Sequence, residues 1–260
     1  MISVQEVPGL EDELLQVNRH MERLCRSNSP SMQKMVDWVL NARGKQIRPI
    51  LTLLCSRLKG KKVDATEVAA IIEICHTASL IHDDIIDDAD MRRGQLSVQK
   101  KFGREMAVYC GDFMIFAAMG RTDLRIKPWY RAMFSRLEMM CDGEISQYDN
   151  QYNTDINEEK YMENIVGKTS AMFIIACEAG AYEGKCDLDE IEAIDEFAKN
   201  LGLLFQIRAA GGYGYTLKKM EHFKNLAKES LEIFGDSVAR RKLTELVDYL
   251  WESTNALRME

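Results

Sequence analysis

An all-α protein built as one domain over residues 1–260 is predicted by three observations. Apolar residues recur at helical spacing along most of the chain. The 4 prolines all lie at or before Pro128, so the stretch from Trp129 to Glu260 contains no residue that forbids a helix interior. No segment alternates polar and apolar residues clearly enough to read as a strand. With 46% hydrophobic residues the chain can bury a sizeable core, and no linker, repeat or low-complexity tract marks an internal boundary.

The elements follow in chain order. Pro49 suits the first turn of a helix through Leu51, Leu54 and Cys55, where its missing N–H falls on a position that has no partner anyway. Asp64 with Glu67 three residues on reads as a capping box. The helix it opens carries a stripe of Val68, Ile71, Ile72, Cys75 and Ser79. A helix after Gly103 includes Tyr109, Phe113 and Met119, and another starts at Trp129 after an abrupt connection near Gly120-Arg121-Thr122. Asp187 can cap a helix whose core side is Ile191, Ile194, Phe197, Ala198, Leu201, Leu204 and Phe205. Gly235-Asp236-Ser237 reads as a stop and restart before a last helix with Leu243, Leu246, Val247 and Leu250 inward.

Composition excludes several functions. The net charge of −7 lacks the positive field that phosphate-backbone binding needs, so nucleic acid is not an expected partner. The 7 cysteines are scattered without a CxxC pair, and the 4 histidines form neither HExxH nor a ligand cluster, which disfavours a zinc enzyme. No apolar run approaches the ~20 residues of a membrane span, and the N-terminus has no basic segment leading into an apolar one. A soluble, cytoplasmic protein is the expectation. Any bound metal must be held by carboxylates.

The chemistry concentrates in His82-Asp83-Asp84-Ile85-Ile86-Asp87-Asp88-Ala89-Asp90-Met91-Arg92-Arg93-Gly94, five carboxylates in eight positions followed by paired arginines. On one continuous helix Asp83, Asp87 and Asp90 stand at about 0°, 40° and −20°, with Asp84 one step round. Like charges on one stripe repel unless a cation lies between them. Oxygen ligands of this kind suit Mg²⁺, which is usually shared between carboxylates and substrate phosphates. The apolar stripe that runs into the acidic end suits a substrate with a diphosphate head and a hydrocarbon tail. Arg92 and Arg93 have the fork geometry for phosphate oxygens, and Gly44-Lys45-Gln46-Ile47-Arg48-Pro49 adds a second basic group, enough for two diphosphates.

These residues resemble the trans-type polyprenyl diphosphate synthases. Gly44 to Pro49 resembles that family's motif near the N-terminus, and His76 to Gly94 its first aspartate-rich motif. Gly143 to Gln147, Gly167-Lys168-Thr169 and Phe205-Gln206 resemble later signatures, so the likeness runs in order from Gly44 to Arg208. It implies a helical bundle of the isoprenoid synthase type around a central apolar cavity, and a homodimer. It implies that Asp83, Asp84 and Asp87 face Mg²⁺ bridging an allylic diphosphate, with Arg92, Lys168, Thr169 and Gln206 around that head group and Lys168 among the catalytic residues. Lys45, Arg48, His76 and Arg93 would hold isopentenyl diphosphate. The implied reaction is ionisation of the allylic C–O bond, attack by the isopentenyl double bond and loss of a proton.

The chain departs from the family pattern after Phe205-Gln206, where Ala209, Ala210 and Tyr213 occupy the places of a second set of aspartates. The sequence reads as though a segment were missing or excised near 209–214, and taken literally it should ionise its substrate poorly. In the resembled family, the side chains four and five positions before the first aspartate set the floor of the hydrocarbon pocket. Here they are Ala78 and Ser79, both small, which implies a medium- or long-chain product.

Competing readings are simple. The acidic end of the helix could be a solvated terminus, His76 a hydrogen-bonded histidine at the edge of the core, Lys45 and Arg48 surface charges, and Lys168-Thr169 an ordinary turn. Three other functions compete with elongation: a synthase-like subunit without turnover, a terpene cyclase that needs no second substrate, and a metal phosphohydrolase built on His82-Asp83.

Overall fold

The computed structural model describes residues 9–42, 44–120, 128–149, 167, 170–210 and 215–256. Its elements are α1 (Leu10–Leu24), α2 (Pro30–Asn41), α3 (Ile47–Cys55), α4 (Thr66–Ile86), β1 (Met91–Arg92), β2 (Gln95–Leu96), α5 (Val98–Phe102), α6 (Arg104–Gly120), α7 (Pro128–Asp149), α8 (Ala171–Glu183), α9 (Leu188–Ala210), α10 (Tyr215–Ser230) and α11 (Val238–Ala256). The protein is all-α, with one two-stranded hairpin among the described residues. Its contacts divide it into two compact units, residues 9–50 with 66–120, and residues 51–65 with 128–256.

In the first unit α4 is the central rod, packed by α1, α5 and α6. Ala69, Ala70, Ile71, Ile72 and Ile74 are all fully buried, so the helix is enclosed on every side and the stripe read from the sequence is too narrow. Leu10, Leu14, Val17, Met21 and Leu24 give α1 one buried face. Glu67 pairs with Arg23 of α1, a long-range use of the residue read as half of a capping box. Ser29 caps α2, its Oγ accepting from the Met32 N–H at 3.4 Å, with Pro30 in the first turn.

The end of α4 differs from the sequence expectation. Asp88 adopts a left-handed φ of 50° and stops the helix, so Asp90 leaves the acidic stripe and pairs with Lys100 at 2.7 Å. The hairpin β1–β2 follows, registered Met91 to Leu96 and Arg92 to Gln95. Its two-residue turn, Arg93 and Gly94, has φ of 51° and 79°, the positive pair that matches the right-handed twist of the strands. With two residues per strand, no alternation was there to be read. Trp38 of α2 pins the hairpin by donating to the Leu96 carbonyl at 3.0 Å, and its own carbonyl accepts from Gln95 at 2.9 Å. Gln99 of α5 donates to the Asp84 and Ala89 carbonyls at 2.7 and 3.1 Å, closing the C-terminal end of α4.

In the second unit α8 is buried from Ala171 to Ala181, against residues 51–55 on one side and α7 and α9 on others. Thr52 Oγ1 donates to the Ala176 carbonyl at 2.9 Å, and a Cβ at Gly180 would stand 2.2 Å from the Thr52 carbonyl oxygen. Glycine is what allows that approach. Asp187 and Glu190 exchange side-chain to backbone bonds of 3.1 and 2.8 Å, a reciprocal cap that opens α9 as the sequence predicts. Ser237 caps α11 through the Arg240 N–H at 3.1 Å, and Leu243, Leu246, Val247 and Leu250 are buried. Five of the seven cysteines are buried as core thiols. The join read near Gly120-Arg121-Thr122 lies largely outside the described residues, as do 211–214 between α9 and α10.

Candidate active site

The acidic end of α4 and the arginines of the hairpin meet within the first unit. The Asp87 N–H donates to the Asp83 carbonyl at 2.8 Å, so the two carboxylates rise one turn apart on one face of α4. Asp83 is half-buried and Asp87 exposed. Asp84 points elsewhere: its carboxylate is buried, and Oδ1 accepts from Arg92 Nε at 2.8 Å and from Arg92 Nη2. That bond, reinforced by Asp83 and Asp87 nearby, raises the pKa of Arg92.

These donors bear on whether Mg²⁺ could sit here. Oxygen-only ligands at Asp83 and Asp87 fit a hard cation, whereas Asp84 is already committed to Arg92. Among the described residues no three His, Cys, Asp or Glu side chains form a group that could hold a metal. The residues present therefore offer part of a shell, the share that carboxylates usually give Mg²⁺ when waters and phosphate oxygens supply the rest.

A cationic cluster lies on the same unit. Arg93 donates from Nη1 to the Ala42 carbonyl at 3.0 Å, and its Nη2 stands 3.8 Å from Glu73 Oε1. Its guanidinium passes so close to Gly44 that a Cβ there would lie 2.8 Å from Cζ. Arg48 is half-buried with Nε shielded from solvent; burial, opposed by Glu73, pushes its pKa down to about 10. His76 is pushed down to about 2, first by burial and then by Arg48, Arg93 and Arg92, so it stands neutral among three cations. Lys45 is exposed beside Gln46, whose left-handed φ of 50° is held by a 2.8 Å bond from its side chain to Asn18 of α1.

The remaining expected positions are distributed as follows. Ala78 is fully buried on α4, and half-buried Ser79 donates to the His76 carbonyl at 2.8 Å. Gln206 is half-buried on α9, next to Phe205, whose ring centroid stands 5.4 Å from that of Phe173. Lys168 and Thr169 lie outside the described residues. Their neighbour Gly167 abuts α7: a Cβ on it would stand 3.3 Å from Gly143 Cα, so two of the signature segments touch through their glycines. His82 Nε2 faces Asp112 of α6 at 3.3 Å.

Glu73 was missed by sequence reasoning, although one acid between Ile72 and Ile74 in an apolar run was a usable signal. It is 3% exposed, and burial raises its pKa while Arg48 and Arg93 oppose the rise.

The sequence profile described as polyprenyl synthetase matches residues 29–209. The chain belongs to this family. A short chain isoprenyl diphosphate synthase of Methanothermobacter thermautotrophicus is 38% identical over 196 residues, 73% of this chain and 60% of that protein. Heptaprenyl diphosphate synthase component 2 of Bacillus subtilis is 31% identical over 200 residues, 76% of this chain and 58% of that one. Across the curated relatives the chain spans between 49% and 65% of their own length. The polyprenyl synthetase fold is also that of a decaprenyl diphosphate synthase from Rhodobacter capsulatus, with a TM-score of 0.88 at 22% identity, covering 95% of this chain and 97% of that one. A polyprenyl synthase from Caulobacter crescentus, solved with calcium and isoprenyl diphosphate, aligns with a TM-score of 0.85 at 22% identity over 93% of this chain and 94% of that one.

Proposed function

We propose that the protein elongates an allylic prenyl diphosphate by head-to-tail condensation with isopentenyl diphosphate, as a Mg²⁺-dependent trans-polyprenyl diphosphate synthase. The observation that carries the reading is the pairing, on one unit, of a carboxylate site at Asp83 and Asp87 with a separate cluster of Arg48, Arg93 and His76. Two diphosphates need two head-group sites, and a cyclase would need one. The relatives' names, which run from short-chain to heptaprenyl and solanesyl synthases, favour the same chemistry.

In this reading Asp83 and Asp87 would hold Mg²⁺, and Arg92, steadied by Asp84, would lie beside the allylic diphosphate. Bound there, Mg²⁺ supplies positive charge against the oxygens of the departing diphosphate. By the family resemblance, Lys168, Thr169 and Gln206 are assigned to the allylic head group, with Lys168 stabilising charge on the leaving group. Lys45, Arg48 and Arg93 hold the nucleophilic substrate through its diphosphate, and neutral His76 gives a hydrogen bond rather than a charge. The small side chains of Ala78 and Ser79 favour a medium- or long-chain product.

We also propose one working domain, a cytoplasmic location and a homodimer. Exposed apolar residues on α6, Tyr109 at 62% and Phe116 at 69%, support the last of these. No helix among the described residues is long and apolar enough to cross a membrane.

The test is incubation of the full-length gene product with Mg²⁺, an allylic diphosphate and labelled isopentenyl diphosphate. Elongation past fifteen-carbon chains is the expected result, and mainly fifteen-carbon product would overturn the chain-length reading. A second reading, a subunit without turnover, is favoured by Ala209 and Ala210 standing on α9 where the resembled family has aspartates. Absence of any elongation would establish it.

A further inference from the structure

The geometry points to Glu73 as a positioning residue: from the middle of α4 it fixes Arg48 and Arg93, the two guanidiniums that receive the diphosphate of the nucleophilic substrate. This rests on the reading of those arginines given above and goes beyond it by assigning the group that orients them. The Glu73 side chain is only 4% exposed and lies among fully buried Ile71, Ile72 and Ile74. A lone carboxylate so placed is costly unless opposite charge faces it. Two such charges do: Arg93 Nη2 at 3.8 Å, and Arg48, whose positive charge also opposes the upward shift of the Glu73 carboxyl.

Arg48 and Arg93 repel each other across this space. A carboxylate that faces both offsets this repulsion before any phosphate arrives. Arg93 is fixed on two further sides, by the Ala42 carbonyl at 3.0 Å and by the Gly44 backbone beneath its guanidinium. It is carried on a turn residue with φ of 51°. A side chain so restrained has lost its rotamer freedom before binding, which is how a phosphate fork becomes pre-organised. Glu73 itself is no ligand, since its charge would repel the diphosphate.

The test is steady-state kinetics of the full-length protein with Mg²⁺, an allylic diphosphate and isopentenyl diphosphate. Glu73→Gln keeps the shape and removes the charge. It should raise KM for isopentenyl diphosphate between about tenfold and a hundredfold, while KM for the allylic diphosphate moves less than about twofold. Glu73→Asp should recover part of the loss. In an Arg93→Ala background the effect of Glu73→Gln should shrink but persist, because one of the two groups it positions is gone and Arg48 remains.

Equal rises in both KM values, or full additivity with Arg93→Ala, would overturn the inference and leave Glu73 a packing residue. If Glu73→Gln loses its helical circular dichroism, Glu73→Asp decides alone: an unchanged ratio of the two KM values sinks the proposal. The underlying reading fails separately. Arg48→Ala and Arg93→Ala with no rise in KM for isopentenyl diphosphate would refute the cationic site itself. A rise in those variants with none in Glu73→Gln refutes only the role of Glu73.

Discussion

Asp84, one of the three expected metal-facing carboxylates, is paired with Arg92 in the structure. The Asp84 carboxylate is 4% exposed and the Arg92 side chain 38% exposed, so the pair is half-sheltered and its loss is asymmetric. Arg92→Ala leaves a buried carboxylate uncompensated and should cost about 2–4 kcal/mol of stability. Adding Asp84→Asn should restore most of it. Urea denaturation of the three variants checks both statements, and an unchanged midpoint for Arg92→Ala would count against the anchor. At this scale the sequence was informative about which residues cluster, because five acids and two arginines in thirteen positions are hard to explain otherwise. It was silent on who pairs with whom. Partner choice depends on the path of the hairpin, and that path turns on the left-handed φ of Asp88 and Arg93, neither of them glycine.

Element boundaries were legible where the signal is local. The Asp187–Glu190 cap and the Ser237 restart satisfy nearby backbone N–H groups and need no tertiary knowledge. The all-round burial of α4 between Ala69 and Ile74, and of α8 from Ala171 to Ala181, was not legible, since an apolar helix reads alike whether one face or all faces are covered. Close helix approaches give a contrast that can be measured. A Cβ at Gly180 would meet the Thr52 carbonyl oxygen at 2.2 Å, and backbone cannot swing aside. A Cβ at Gly111 would meet His82 Nε2 at 2.4 Å, the end of a side chain that can rotate away. Gly180→Ala should therefore destabilise by about 3 kcal/mol or more and Gly111→Ala by less than about 1.5 kcal/mol, as read from thermal or chemical denaturation. Similar losses for the two would show that α8 slides on its neighbour.

For the molecule as a whole, buried Glu178 and half-buried His76 tie stability to pH in opposite directions. Arg136 of α7 donates to Glu178 Oε1 at 3.2 Å and also to Asp195 of α9, so one guanidinium serves two carboxylates. Burial, with Asp195 beside it, pushes Glu178 up from 4.5 to about 7 against the pull of Arg136. Between those values the folded chain keeps a proton that the unfolded chain releases, so this contribution is lost as pH rises. His76 works the other way. Unfolded it takes a proton near 6.5, folded it does not until about 2, so its contribution is lost as pH falls below 6.5. Glu178→Gln removes the first effect alone. Its stability should exceed that of the parent by about 2 kcal/mol at pH 8, with the gap closing near pH 5. Melting curves at the two pH values decide it, and a gap independent of pH would contradict the assignment.

Glu73 and Asp84 sit on one rigid rod, each gripping one of two consecutive arginines, Arg93 and Arg92. Eleven residues of helix, about 16 Å, thus act as a ruler between the grips. Inserting or deleting a single residue between them would turn one grip about 100° away from its arginine. This stretch of α4 should therefore keep its length wherever the arginine pair is inherited, and natural variation in chain length must be taken up in other segments.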